Sequence, residues 1–387
     1  MTNDDSDAEV EEEGLNIISK NQLAKASWKL KKKQEKLTSR LIAIGENIAS
    51  ASALRNKLQL CQSTKVEEAA MYQHLDRQTT AELYSPNADH SLSIISTFVD
   101  RASKYNEKNS SQELSIAFQV FKLIYPKRNT EDALDVIVDV GAGNANLSCL
   151  LAMIFDVPII CVEKDSNLIP ELQGERRLPS PQFSVKRVEI LIEEYVLPSE
   201  FNNAVVLGKH LCGVGTDAGI RFLESTKDKV LGTIWCTCCC NKITEEYGSS
   251  LFEELNGVDD HETLVTVAKT TAWRTVQVEG ENDMKSSMDA EAGFAESWIQ
   301  GFRRRKLARI FGWCDEVIYC SGDVHSQQNR CIVSGRHKPG DDSIDLRAAF
   351  FALLDKQVCK LTADNVIPLD LVARDCQNKR ASYEAAK

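Results

Sequence analysis

No stretch of this 387-residue chain is apolar for long enough to cross a membrane, although hydrophobic residues make up 43% of it and allow a sizeable core. The amino terminus, Met1-Thr2-Asn3-Asp4-Asp5, has neither the apolar region of a secretory signal nor the arginines of a transit peptide. The thirteen cysteines are odd in number and show no clean paired Cys-x-x-Cys arrangement with zinc spacing. Many fall in strand-like apolar segments, which argues against a disulfide framework and for a reducing compartment, cytosol or nucleus. An excess of positive charge is also missing, since the formal net charge is −11. The first thirteen residues account for much of that: they carry seven acids (Asp4, Asp5, Asp7, Glu9, Glu11, Glu12, Glu13) and no base. Two basic clusters remain, Lys25, Lys29, Lys31, Lys32, Lys33, Lys36 and Arg40, then Arg303, Arg304, Arg305, Lys306 and Arg309. Each suits either phosphate contact or a solvated helix face, so bulk charge excludes no partner class. No internal repeat is present.

What is there divides into four parts. Residues 1–13 are too acidic and too poor in apolar groups to pack, and are expected to be disordered. Residues 14–90 form a helical extension. Leu23, Leu30, Leu37, Ile44, Ala51 and Leu58 recur every seven residues in it, one apolar stripe with a basic opposite face. Residues 91–338 open with two predicted helices, Ser91–Tyr105 and Gln112–Tyr125, separated by Asn106-Glu107-Lys108-Asn109-Ser110 and ended by Pro126. Apolar runs then alternate with helical stretches. The runs are Val136–Val140, Pro158–Val162, Phe183–Val188, Ala204–Leu207 and Leu231–Trp235, with helices near 147–155, 166–176, 215–226 and 294–311. Such alternation predicts an α/β fold with a doubly wound, mainly parallel sheet. Thr263–Ala268, Glu316–Tyr319 and Arg330–Ser334 are candidates to complete it, and residues 339–387 read as a helical C-terminal segment.

Chemistry concentrates where strands end. Asp139-Val140-Gly141-Ala142-Gly143-Asn144-Ala145-Asn146-Leu147 follows the first strand and opens a helix. Gly141 and Gly143 allow a tight turn and close approach of a cofactor, and the helix start supplies unpaired N–H groups. Glu163 ends the next strand, placed to accept from ribose hydroxyls. Glu189, after the third strand, is either an adenosine-side contact or a solvent-facing acid. After the fourth strand stands Gly208-Lys209-His210-Leu211-Cys212-Gly213-Val214-Gly215-Thr216-Asp217. In an open α/β sheet this is the ligand-binding edge. Here His210 can accept a proton, Lys209 can stabilise a developing oxyanion or hold a phosphate, and Asp217 can orient them. After the fifth strand comes Trp235-Cys236-Thr237-Cys238-Cys239-Cys240-Asn241-Lys242. Adjacent cysteines do not readily aim all their sulfurs at one tetrahedral centre. Some are therefore expected to pack as small apolar groups and others to line a pocket; no metal is expected, with zinc held together with Cys212 or His210 as the alternative.

These residues resemble the eukaryotic tRNA 2′-O-methyltransferases that modify the fourth nucleotide, in the acceptor stem. The resemblance rests on the glycine turn with Val162-Glu163 downstream, the Gly-Lys-His-Leu-Cys-Gly-x-x-Thr-Asp loop, and the Cys-Cys segment after the next strand. A weaker match covers Thr270-Thr271-Ala272-Trp273 and the helix into Arg303–Phe311. The chain departs from the family's pattern at its N-terminal zinc modules, at Asn144-Ala145 in the glycine turn, and at Cys240-Asn241, where the family has histidines. The resemblance implies a Rossmann-like class I methyltransferase fold with S-adenosylmethionine as cofactor and tRNA as partner. It implies cofactor contacts at Asp139, Gly141, Gly143, Asn144, Glu163 and Glu189, and catalysis by Lys209, His210 and Asp217. Substrate contacts are expected at Cys238, Cys239, Asn241, Arg303, Arg304 and Arg305. Two other readings stay open: a related methyltransferase acting on a protein or small molecule, and a catalytically silent cofactor- or RNA-binding protein.

Overall fold

The computed structural model describes residues 28, 29, 31, 32, 35, 48–56, 91, 92, 95, 103–127, 133–165, 184–243, 251, 252, 254, 261–275, 282–318, 330–339 and 345–363. The chain divides into two compact units, Met1–Leu54 and Arg55–Lys387. In the first, every described residue is helical. Trp28 is exposed and the Lys32 ammonium lies 4.4 Å from its ring centroid, while Ala51 is buried. The acidic tail, the other heptad positions, the expected helix at 166–176 and residues 364–387 lie outside the described residues.

The second unit is built on a seven-stranded sheet: β1 Val136–Val140, β2 Ile159–Glu163, β3 Val185–Glu189, β4 Ala204–Lys209, β5 Val230–Cys236, β6 Asp315–Ile318 and β7 Arg330–Gly335. The strand order is β3-β2-β1-β4-β5-β7-β6. The first five strands are parallel, and β7 runs antiparallel between β5 and β6. β1, β4 and β5 are mostly apolar because both of their faces are covered, with Asp139, Lys209 and Thr233 as the polar exceptions. Six helices are used below: α1 Ser103–Ile124, α2 Asn146–Phe155, α3 Gly215–Thr226, α4 His261–Thr270, α5 Asn282–Phe311 and α6 Leu346–Ala363.

Side chains alternate across the sheet, so each strand feeds two cores. Val136, Val138 and Val140 join Ile160, Val162 and Val206 beneath α3 and the end of α5. Ile137, Ile159, Cys161, Val205 and Leu207 face the other way, toward α1, α2 and α6. There the Phe350 ring of α6 packs 5.4 Å from Phe118 and 5.3 Å from Phe121 of α1, contacts worth about 0.5–1.5 kcal/mol each beyond their buried area. The C-terminal helix is thus part of the sheet's own core. The same alternation decides where the sheet's polar residues go. Asp139, Glu163 and Lys209 continue the series of Ile137, Cys161 and Leu207, so all three emerge on the face that α1 and α2 cover.

Three elements differ from the sequence expectation. Thr263–Ala268 is helical, within α4, because Leu264, Val267 and Ala268 bury one side at helical spacing and this outweighs the local strand propensity. The turn expected at 106–110 is absent, and α1 runs straight through it. Asn and Ser favour turns only when nothing better is offered; here Asn109 is buried and meets Lys209. Finally, α5 begins at Asn282 rather than near 294. Among the described residues, no helix is long and apolar enough to cross a membrane.

Candidate active site

The glycine turn joins β1 to α2 through three left-handed residues, Gly141 (φ 64°), Gly143 (φ 50°) and Ala145 (φ 50°). A side chain at Gly141 would begin 2.6 Å from Leu211 Cδ2, and one at Gly208 would begin 2.4 Å from Leu211 Cδ1. Leu211 therefore seats on bare backbone from both directions and locks the loop after β4 onto the turn after β1. At Gly143 the space is open, with nothing within 4 Å of where a side chain would start. The Gly143 N–H donates to Glu163 Oε2 (3.1 Å), the Asp165 N–H donates to Glu163 Oε1 (3.1 Å), and Arg187 of β3 donates to the Gly143 carbonyl (2.7 Å). Glu163 at the end of β2 and Arg187 in the middle of β3 thus both hold the turn. Asn144 is exposed on it, and Glu189, exposed, is the register partner of Glu163.

Asp139 is buried beneath the turn, where it accepts a 2.5 Å hydrogen bond from Ser148 Oγ in the first turn of α2. Burial pushes its pKa up from 3.8 to about 7, against the lowering effects of the Ser148 hydrogen bond and of Lys209. A carboxyl so placed releases its proton to solvent when a positive charge comes beside it. Lys209, at the end of β4, lies 3.4 Å from Asn109 Oδ1 and 3.5 Å from Glu113 Oε1. Asn109 and Glu113 are four residues apart on α1, hence on one face of it. His210 follows, exposed and in the left-handed region (φ 66°). A non-glycine residue holds that conformation only when its surroundings impose it, a pattern concentrated at functional sites.

The structure separates the other expected site residues into different roles. Asp217 and Arg303 are both fully buried and form a bidentate ion pair, Nη2 to Oδ2 at 2.5 Å and Nε to Oδ1 at 3.1 Å. Arg303 also donates to the Gly213 carbonyl (2.8 Å). Asp217 is therefore committed to a clamp between α3 and α5 rather than to Lys209 or His210. Arg303 is likewise shut away from any phosphate. Arg304 is nearly buried and pairs with Glu316 (3.0 Å), which also holds Arg330 (2.8 Å), so it is not a surface phosphate contact either. Arg305 is half-buried, its guanidinium 4.4 Å from the Phe302 ring centroid. Cys238 is buried, while Cys239 and Asn241 are half-buried.

The adjacent cysteines do converge, contrary to the sequence expectation. The sulfurs of Cys212, Cys238 and Cys239 all lie within 4.8 Å of one another. The cause is local: Cys239 is left-handed (φ 47°), which breaks the alternation that would send neighbouring side chains to opposite sides. Ser148, Arg187, Asn109, Glu113 and the seat of Leu211 had no assigned part from sequence. Only Ser148 had a local signal, its place in the first turn of the helix that the glycine turn opens. Asn109 and Glu113 lie about a hundred residues before their partner.

A parallel sheet in the order 3-2-1-4-5 extended by an antiparallel β7 inserted before β6, with acids ending β1 and β2 around a glycine turn, defines a Rossmann-like class I methyltransferase. The family model described as Methyltransferase TRM13 matches residues 111–321, more than half of the sequence. This chain belongs to that family. A relative from Schizosaccharomyces pombe (strain 972), the tRNA:m(4)X modification enzyme TRM13, is 24% identical over 229 residues. The match covers 55% of this chain and 58% of that one, so the chain spans less than two thirds of the relative's length. Two solved structures are more distant. The Pyrococcus abyssi tRNA (uracil-54, C5)-methyltransferase in complex with S-adenosyl-L-homocysteine has a TM-score of 0.29 at 9% identity, covering 59% of this chain and 38% of its own. The plantazolicin methyltransferase BpumL has a TM-score of 0.34 at 7% identity, covering 72% and 91%. Those likenesses are too slight to bear on the site.

Proposed function

We propose that this chain is an S-adenosylmethionine-dependent tRNA 2′-O-methyltransferase acting in the acceptor stem. The observation that carries the reading is the convergence of Asp139, Glu163 and Lys209 on one sheet face at the carboxyl edge, in a chain of the TRM13 methyltransferase family. The residues fit the cofactor. The open side of Gly143 leaves room against the backbone, Glu163 stands where a ribose acceptor belongs, and the raised Asp139 is a proton-holding acid that a cationic methionine end would ionise. Asn144 and Glu189 border the adenosine side. When bound, the cofactor supplies an electrophilic methyl group on a sulfonium.

The protein's own part is positioning and proton transfer. Lys209 keeps its ammonium in place through Asn109 and Glu113 and stabilises the 2′-oxygen as it loses its proton. His210, exposed beside it, accepts that proton. Since Arg303 and Arg304 are engaged inside the fold, phosphate contact falls to exposed bases such as Arg309. The test is transfer of labelled methyl from S-adenosylmethionine to total tRNA, with digestion to nucleosides to locate the label. Ribose-methylated nucleoside is expected with the native chain and a loss of at least about a hundredfold with Lys209→Ala or His210→Ala, the range for a missing acid–base group. Label that stays off RNA, or transfer that survives both substitutions, overturns the proposal.

A further inference from the structure

Beside the Lys209–His210 loop, the structure gathers three thiols from two separate loops. Cys212 comes from the β4–α3 connection, and Cys238 and Cys239 from the segment after β5. Cys212 Sγ and Cys238 Sγ are 3.8 Å apart. Tetrahedral zinc with Zn–S bonds of about 2.3 Å requires sulfurs roughly 3.8 Å apart. The spacing therefore needs little adjustment, and no bond between sulfurs is formed at that distance.

The backbone around the thiols is held independently of them. The Gly213 N–H donates to the Cys239 carbonyl (3.2 Å), joining the two loops beside the sulfurs. A side chain at Gly213 would begin 3.0 Å from the Lys242 carbonyl oxygen, and Gly213 is itself left-handed (φ 61°), so glycine makes this approach without strain. Arg303 fixes the Gly213 carbonyl and reaches Cys240 Sγ (3.7 Å), which also receives Gln300 Nε2 (3.4 Å). Metal sites depend on such an outer layer to aim their ligands. Cys240, by contrast, is turned into that layer and is not one of the converging thiols.

We propose that Cys212, Cys238 and Cys239 form a three-thiolate site for a zinc ion, with the fourth position taken by water. The ion binds all three sulfurs as thiolates, and whatever protons they still carry go to solvent, without oxidation or reduction, so metal uptake strengthens as pH rises. The ion fastens the β4 loop, which carries Lys209 and His210, to the β5 loop. It adds a metal link to the Gly213–Cys239 hydrogen bond that already joins the two loops. This inference does not depend on which acceptor the enzyme methylates.

The test uses the full chain, purified under reducing conditions, stripped with a chelator and titrated anaerobically with cobalt(II) and then zinc(II). One ion per chain is expected, with the thiolate-to-cobalt charge-transfer band and the visible bands of tetrahedral cobalt, displaced by zinc. Cys212→Ser and Cys239→Ser should each weaken cobalt binding by more than the roughly 10–100-fold typical of losing an outer-layer partner. Cys359→Ser, at an exposed cysteine on α6, should change nothing. Cys239→His guards against simple misfolding: it should keep the ion and shift the visible bands. Absence of a cobalt band in the native chain, a band that persists when all three cysteines are serine, or a Cys212–Cys238 disulfide in place of metal would each overturn the site.

Discussion

Replacing Asp139 by asparagine should make the protein more stable above pH 7 and less stable near pH 4, and the crossing has a definite size. Asp139 is buried, and its pKa rises from 3.8 in the unfolded chain to about 7 in the folded one. The folded state thus binds more protons than the unfolded state between those values. Stability from this group is greatest below 3.8 and is lost as pH climbs to 7. The slope is about 1.4 kcal/mol per pH unit, and three units make a total of roughly 4 kcal/mol. Asparagine has no such slope. It can still accept from Ser148, but its buried amide donors lack a built partner, a pH-independent cost of about 1–3 kcal/mol. Urea unfolding of both proteins, followed by tryptophan fluorescence from about pH 5 to 8.5, isolates the difference, because titrating groups remote from Asp139 cancel. The native protein should lose about 2–3 kcal/mol relative to Asp139→Asn between pH 5 and 7, and run parallel to it above about pH 8. Two curves parallel throughout would show that Asp139 is ionised in the fold, and the account of its burial would be wrong. In the same variant, calorimetry should show S-adenosylmethionine binding lost.

Other substitutions probe the remaining parts of the site. Arg303→Met should cost about 3–5 kcal/mol in urea unfolding, because it strands Asp217 as a buried unpaired charge. Adding Asp217→Asn should recover part of that loss, and an effect below about 1 kcal/mol would place the pair at a surface instead. Gly141→Ala should cost about 1–2 kcal/mol for its left-handed backbone plus about 1–3 for displacing Leu211, whereas Gly143→Ala should cost only the first amount. Equal thermal shifts for the two glycine variants would refute the seating of Leu211. Lys209→Met should destabilise by up to about 3 kcal/mol through Glu113, and Glu113→Gln in the same chain should restore most of it. Restored stability without restored methyl transfer separates the fold role of Lys209 from its role in the reaction.

Much of the sheet was legible because its signals are local. β1, β4 and β5 are mostly apolar runs, each followed by turn chemistry, and Glu163 sits a fixed distance past Gly143. The helix Thr263–Ala268 was not legible as one, because its β-branched residues favour strand and only burial of Leu264, Val267 and Ala268 on one side decides otherwise. Asn109 was read as part of a turn for the same reason in reverse. Its helix is settled by a lysine a hundred residues away.

The sequence by itself determined the alternation of strands and helices, the glycine turn, and the presence of Lys209 and His210 at the edge where ligands bind. Those features depend on periodicity and on backbone conformations that neighbouring residues impose. The tertiary structure alone decided which charged groups are available. Asp217 and Arg303, and Arg304 with Glu316, are neutralised inside the fold, and burial keeps Asp139 protonated to near-neutral pH. It also decided that three cysteines meet, through one left-handed residue and one close glycine. A side chain's charge, partner and reach are set by what packs against it from distant segments, and sequence spacing carries no record of that distance in space.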